Sequence, residues 1–210
     1  MKHVNIVEDS THSDLVEDNA IISICGKSCK TYLRGKGNEV LVCGDSCSMD
    51  ALVNQSTLSL HGGNLEVTVL GSGNKTTISG TRGHYVVCDT DSTILIASNE
   101  SRIEIYGSRC KIIVIGDYNT ITLADTAEDI AAFVDGVRNK VICKGKHNVL
   151  EIATVNGSYN SSEGKGNVAY VSHTVLKVTI NKDVDTLYHY KREYSASVEH
   201  YVKTALVKEI

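Results

Sequence analysis

Cys25, Cys29, Cys43 and Cys47 form two pairs with the same internal spacing, and the second pair lies eighteen residues after the first. Four thiolates gathered in tetrahedral array would hold a zinc ion. The spacing within each pair, however, differs from the C-x2-C of zinc knuckles and ribbons. Strand alternation would point Cys25 and Cys43 outward and leave Cys29 and Cys47 at a corner, so the two pairs diverge. Structural thiols are the expectation, with no metal and no cofactor. His61 follows Cys25 and Cys43 at a third step of eighteen, which makes Cys43/His61 the one nucleophile–base contact the spacing allows. A surface ladder of unlike residues accounts for that column without chemistry. The segments G-S-G-N and G-K-G-N lack a following Lys-Ser/Thr and are turn units, not phosphate loops. No catalytic residue and no enzymatic activity are expected.

The elements that carry these residues repeat. Stepping by nine from Gly26 reaches Gly35, Gly44, Val53, Gly62, Gly71, Gly80, Asp89, Ser98, Gly107, Gly116 and Asp125. Types that tolerate positive φ dominate the series, as a recurring turn requires. Residues two and four before each anchor are mostly apolar, among them Ile22 and Ile24, Val40 and Val42, and Ile112 and Val114. This is period-two alternation inside a period of nine: one strand per unit, one face inward. Two residues are inserted around Asp129 to Phe133, after which Gly136 and Gly145 restore the step. Because Cys25 and Cys29 recur as Cys43 and Cys47, two strands and about eighteen residues are expected per coil.

The pattern resembles that of the β-solenoid, or parallel β-helix, repeat proteins over about two thirds of the chain. The resemblance implies an all-β stack of seven to eight coils over residues 20–154. Nonapeptide calcium rolls share the step of nine, but their Asp ladder is missing here, so calcium is not implied. Bactofilin-like cytoskeletal solenoids are similar in style, without a specific motif. Polysaccharide-cleaving β-helix enzymes resemble the architecture, yet their coils are longer and no carboxylate pair recurs on one face of this chain.

Composition agrees with the class. Among 210 residues there is no Pro and no Trp, and Gly and β-branched residues are plentiful. A formal net charge of -4 offers no basic stripe, so neither nucleic acid nor a membrane surface is expected as a partner. Seven cysteines without a secretory leader suit a reducing compartment, and a cytoplasmic location is expected.

The ends read differently. Residues 1–19 are acidic and are expected to cap the first coil. Residues 155–180 read as a turn-rich loop followed by two strands. In 181–210 the tyrosines Tyr188, Tyr190, Tyr194 and Tyr201 cluster, and from about Ser195 the residues Val198, Tyr201, Val202, Ala205 and Leu206 form one helical stripe. Outward positions of the repeat hold Ser, Thr, Arg, Glu or His in most units, but turn apolar at Leu95, Ile113, Ile115 and Phe133. Such a stripe requires a cover, either the C-terminal strands and helix, which are expected as a cap and would fold back over it, or a second subunit or another protein. The expected role is non-enzymatic protein–protein interaction, with a rigid solenoid presented to an unidentified protein and a homodimer formed through the C-terminal segment. The interaction residues are Leu95, Ile113, Ile115, Phe133, Tyr188, Tyr190, Tyr194, Val198, Tyr201, Val202 and Leu206. In style this resembles the accessory, anti-defence type proteins of phages and mobile elements. A self-assembling or virion component and a carbohydrate-binding or carbohydrate-cleaving β-helix protein are the alternatives.

Overall fold

The computed structural model describes residues 2–191 and 207–208. Ten coils stack along one axis, at residues 2–16, 20–36, 39–54, 57–72, 75–90, 93–105, 111–123, 131–143, 149–161 and 168–180. Each coil gives its first strand to one sheet, sheet A, and its second to the facing sheet B. Thr186–Tyr190 continues sheet A, and Val207–Lys208 pairs antiparallel with it at the end. All other pairing is parallel. Successive coils lie in register at a step of eighteen, as in Ile22↔Val40 and Val40↔Leu58.

The nine-residue step is thus half a coil. The expected two-residue insertion is real and lies between Leu123 and Ala131, since Lys111 pairs with Ala131 and Thr120 with Lys140. The stack is longer than seven to eight coils. Residues 2–16, expected as a cap, pair with coil 2, and Ser158–Ser161, inside the apparent loop, forms a strand of sheet B. No helix occurs among the described residues. The helix expected beyond Ser195 lies outside them, apart from the paired Val207–Lys208.

Alternate residues of each strand enter a narrow core between the sheets. Ile24, Val42, Leu60, Ile78, Ile96 and Val114 form one inward column, all but fully buried. Small polar residues close the core at its two corners and satisfy the backbone there. Asn38 Oδ1 accepts the Ala20 N–H at 2.9 Å while its Nδ2 donates to the Glu17 carbonyl at 2.7 Å. Asn38, Ser56 and Asn74 then pass their own N–H groups to the next side chain up, at 2.9–3.1 Å. Ser101, Asn119 and Asn139 build the same ladder at the opposite corner. Buried polar groups of this kind cost little because each has its partner.

The turns show why the anchors are so often glycine. A Cβ on Gly44 would lie 1.8 Å from the Gly26 carbonyl oxygen of the coil below, so at this anchor, with φ at 153°, the backbones approach too closely for a side chain. The left-handed residue lies two positions later, at Ser10, Asn19, Ser28, Ser46, Gln55 and Asn64 and onward at the same step. Its N–H donates to the next coil, as in Gln55 to Ser72 at 2.9 Å, which holds a conformation that costs a non-glycine residue about 1 kcal/mol or more.

Candidate interaction surface

The outer face of sheet A carries three columns of side chains. Register places Leu95, Ile113 and Phe133 directly above one another in the central column, followed by Glu151, Tyr170 and Tyr188. Three of the four residues of the stripe expected from the sequence, Leu95, Ile113 and Phe133, are therefore direct neighbours, and Tyr188 lies farther along the same column. Glu151 interrupts it, but Ala131, Val149 and Val168 run alongside in the neighbouring column and keep the surface apolar. Ile115 occupies the third column between Ala97 and Asp135. Ile115 and Val149 are each 47% exposed, whereas Leu95, Ile113 and Phe133 partly cover one another. The rings of Tyr170 and Tyr188 stack at 5.1 Å with 15° between planes. Tyr190 ends its strand opposite Ser172. Tyr194, Val198, Tyr201, Val202 and Leu206 lie outside the described residues.

The outer face of sheet B is polar and holds a constellation that was overlooked in the sequence. Glu104 accepts from His84 Nε2 at 3.0 Å, pairs with Arg102 Nε at 2.6 Å, and accepts the Tyr106 hydroxyl at 2.6 Å. A step of eighteen would have found it, because Arg102, Glu104 and Tyr106 follow His84, Val86 and Cys88 at that interval. The hydrogen bonds from Tyr106 and His84, with the Arg102 charge, hold the Glu104 carboxyl below its ordinary range. Glu104 therefore stays ionised with both oxygens engaged, which suits a strut between coils and not a proton donor.

Cys25, Cys43 and His61 do form one column of sheet A. His61 Nδ1 is engaged by Ser79 Oγ at 2.6 Å. Burial, then the neighbouring Cys25, pushes the Cys43 thiol up, which disfavours the thiolate that a nucleophile needs. Cys29 and Cys47 sit at the corner, where Cys47 Sγ donates to the Gly26 carbonyl at 3.2 Å and Cys29 Sγ to that of Glu8 at 3.3 Å. They do there what Asn74 Nδ2 does with the Val53 carbonyl at 2.8 Å. Among the described residues no three His, Cys, Asp or Glu are arranged to hold a metal ion, and no helix is long and apolar enough to cross a membrane. The chain matches no family model, no curated protein and no solved structure.

Proposed function

We propose that the chain is a non-enzymatic protein-binding module that pairs with a second copy of itself through the outer face of sheet A over coils 6 to 10 and the following strand Thr186–Tyr190. The observation that carries the reading is the in-register apolar column of Leu95, Ile113 and Phe133, flanked by the exposed Ile115 and Val149. Five residues of strand by six strands of sheet make a patch of about 17 by 29 Å, roughly 500 Å² in projection. That area, which also holds the charged Lys111, Asp135 and Glu151, compares with the central part of a standard interface, which buries about 800 Å² per partner. Polar positions lower on the same face, such as Ser59, Thr77 and Lys75, supply the rim. Phe133, Tyr170 and Tyr188 are of the types that anchor interfaces. A second copy is favoured because the constant register repeats the same three outward columns from coil to coil, and such a regular sheet face can stack on its like about 10 Å away.

Light scattering at tens of micromolar tests the reading. The full-length chain is expected to run as a dimer, and Ile113→Lys as a folded monomer with the parent's circular dichroism. A parent chain that runs as a monomer overturns it.

A further inference from the structure

The fold accounts for most of the seven cysteines. Cys29, Cys47 and Cys110 donate from the corners to carbonyls of the coil below. Cys143 fills the core, where burial pushes its thiol up to about 11. Cys88 stands by itself on sheet B, opposite Leu70. Cys25 and Cys43 have no such duty. Both are half-buried free thiols at the ends of the sheet A strands of coils 2 and 3, outside the surface proposed for pairing. They are direct register partners, so their Cα atoms lie about 4.8 Å apart, inside the roughly 4.4–6.8 Å that a disulfide spans. Cys25 Sγ meets Ser23 Oγ at 3.8 Å, a contact both loose and within one strand. Gly26 and Gly44 follow them, so no side chain flanks the pair on the turn side.

We propose that Cys25 and Cys43 form a redox-responsive dithiol that a small-molecule disulfide closes into a covalent bond between coils 2 and 3. The Cys25 thiolate attacks one sulfur of the oxidant, forming a mixed disulfide and releasing one thiolate. The Cys43 thiolate then attacks the Cys25 sulfur, the Cys25–Cys43 bond forms, and the second small thiolate leaves. The protein loses two protons and two electrons, and the oxidant becomes two thiols. Cys43 acts second because burial and the adjacent Cys25 hold its thiol up, which an intramolecular attack tolerates. Closure requires the two Cβ atoms to approach by about 1 Å at this edge, from a strand spacing of about 4.8 Å to the roughly 3.8 Å found across a disulfide. The corner pair differs: Cys29 and Cys47 are 2% and 3% exposed, and their S–H groups are committed to backbone carbonyls.

The native full-length chain is incubated with oxidised glutathione, quenched in acid and mapped by mass spectrometry. The expected product is a linked Cys25–Cys43 peptide and an intact mass lower by two hydrogens, formed faster as pH rises from about 7 to 9. Cys25→Ser and Cys43→Ser, both on the outer face, are expected to yield no internal link. Glutathione adducts that persist on the parent without closure overturn the proposal. So does a link confined to Cys29–Cys47, or a parent in which Cys25 and Cys43 remain fully alkylatable.

Discussion

Gly83 and Tyr85 share one volume. A Cβ on Gly83 would lie 2.1 Å from the Tyr85 hydroxyl oxygen and 2.2 Å from its Cζ, because the fully buried ring turns back into the corner that Leu65 fills one coil below. The Tyr85 hydroxyl meets Ser98 Oγ at 3.2 Å, which fixes the ring in that corner. Gly83→Ala is therefore expected to destabilise the chain by about 1–3 kcal/mol through overpacking. Tyr85→Leu, which empties the corner, is expected to make the second substitution nearly neutral. Denaturant unfolding of the two single variants and the double variant checks the coupling, and additive losses would refute it.

Adjacent residues in one strand should respond oppositely to charge. Val114 is fully buried and Ile113 faces outward. Val114→Asp buries an unpaired carboxylate, costs several kcal/mol and is expected to unfold the stack. Ile113→Asp is expected to retain the parent's circular dichroism while losing self-association, with a melting temperature that no longer rises with concentration. Both variants behaving alike would show that the inward and outward assignments are mistaken.

The corner ladder can be probed at one rung. Asn119 accepts the Ser101 N–H at 3.0 Å and donates from Nδ2 to the Ser98 carbonyl at 2.6 Å. Asn119→Leu strips both partners at once, leaving a buried N–H and a buried C=O unpaired. The expected loss is about 2–5 kcal/mol by chemical denaturation, larger than that for an exposed amide such as Asn160.

Asp89 introduces a pH dependence. Its carboxylate is fully buried and receives Asn74 Nδ2 at 3.1 Å on each oxygen. Burial outweighs these hydrogen bonds and pushes the carboxyl above its ordinary value. A carboxyl raised on folding contributes stability that is fully present below its unfolded pKa and is lost as pH rises through the folded one. Asp89→Asn removes that dependence. The stability of the Asn variant relative to the parent is thus expected to be greater at pH 7 than at pH 3, as measured by thermal unfolding at both. An equal difference at the two pH values would contradict it.

The legible part of the fold was what recurs within a half-coil. Alternation of Ile22, Ile24, Val40 and Val42 marks inward positions, because only the core selects for them. The left-handed turn residue stayed hidden, since at successive half-coils it is Arg82, Asp91, Glu100, Arg109 and Tyr118. Stacking hydrogen bonds impose the conformation there, so residue type carries no mark of it. The second strand of coil 9 was not legible, because in Ser158–Ser161 a tyrosine, Tyr159, fills the core position among polar residues in place of an aliphatic one. The outer ridge was legible from Leu95 to Phe133. Its continuation to Tyr170 was not, because Glu151 breaks the apolar run and an extra residue before Val168 shifts the step.

The constant register also governs how quickly the chain can find its fold. Strand partners sit eighteen residues apart almost everywhere in a chain of 210, about 0.09 of its length. Parallel sheets ordinarily fold slowly because distant segments must meet first, but a relative contact order near 0.09 belongs to helical bundles. Any two or three neighbouring coils can serve as the nucleus, and each coil added afterwards closes a loop of the same small size. Refolding after dilution from denaturant is expected in milliseconds, faster than for β-sandwiches of similar stability. The rate should depend little on which end of the stack carries a destabilising substitution.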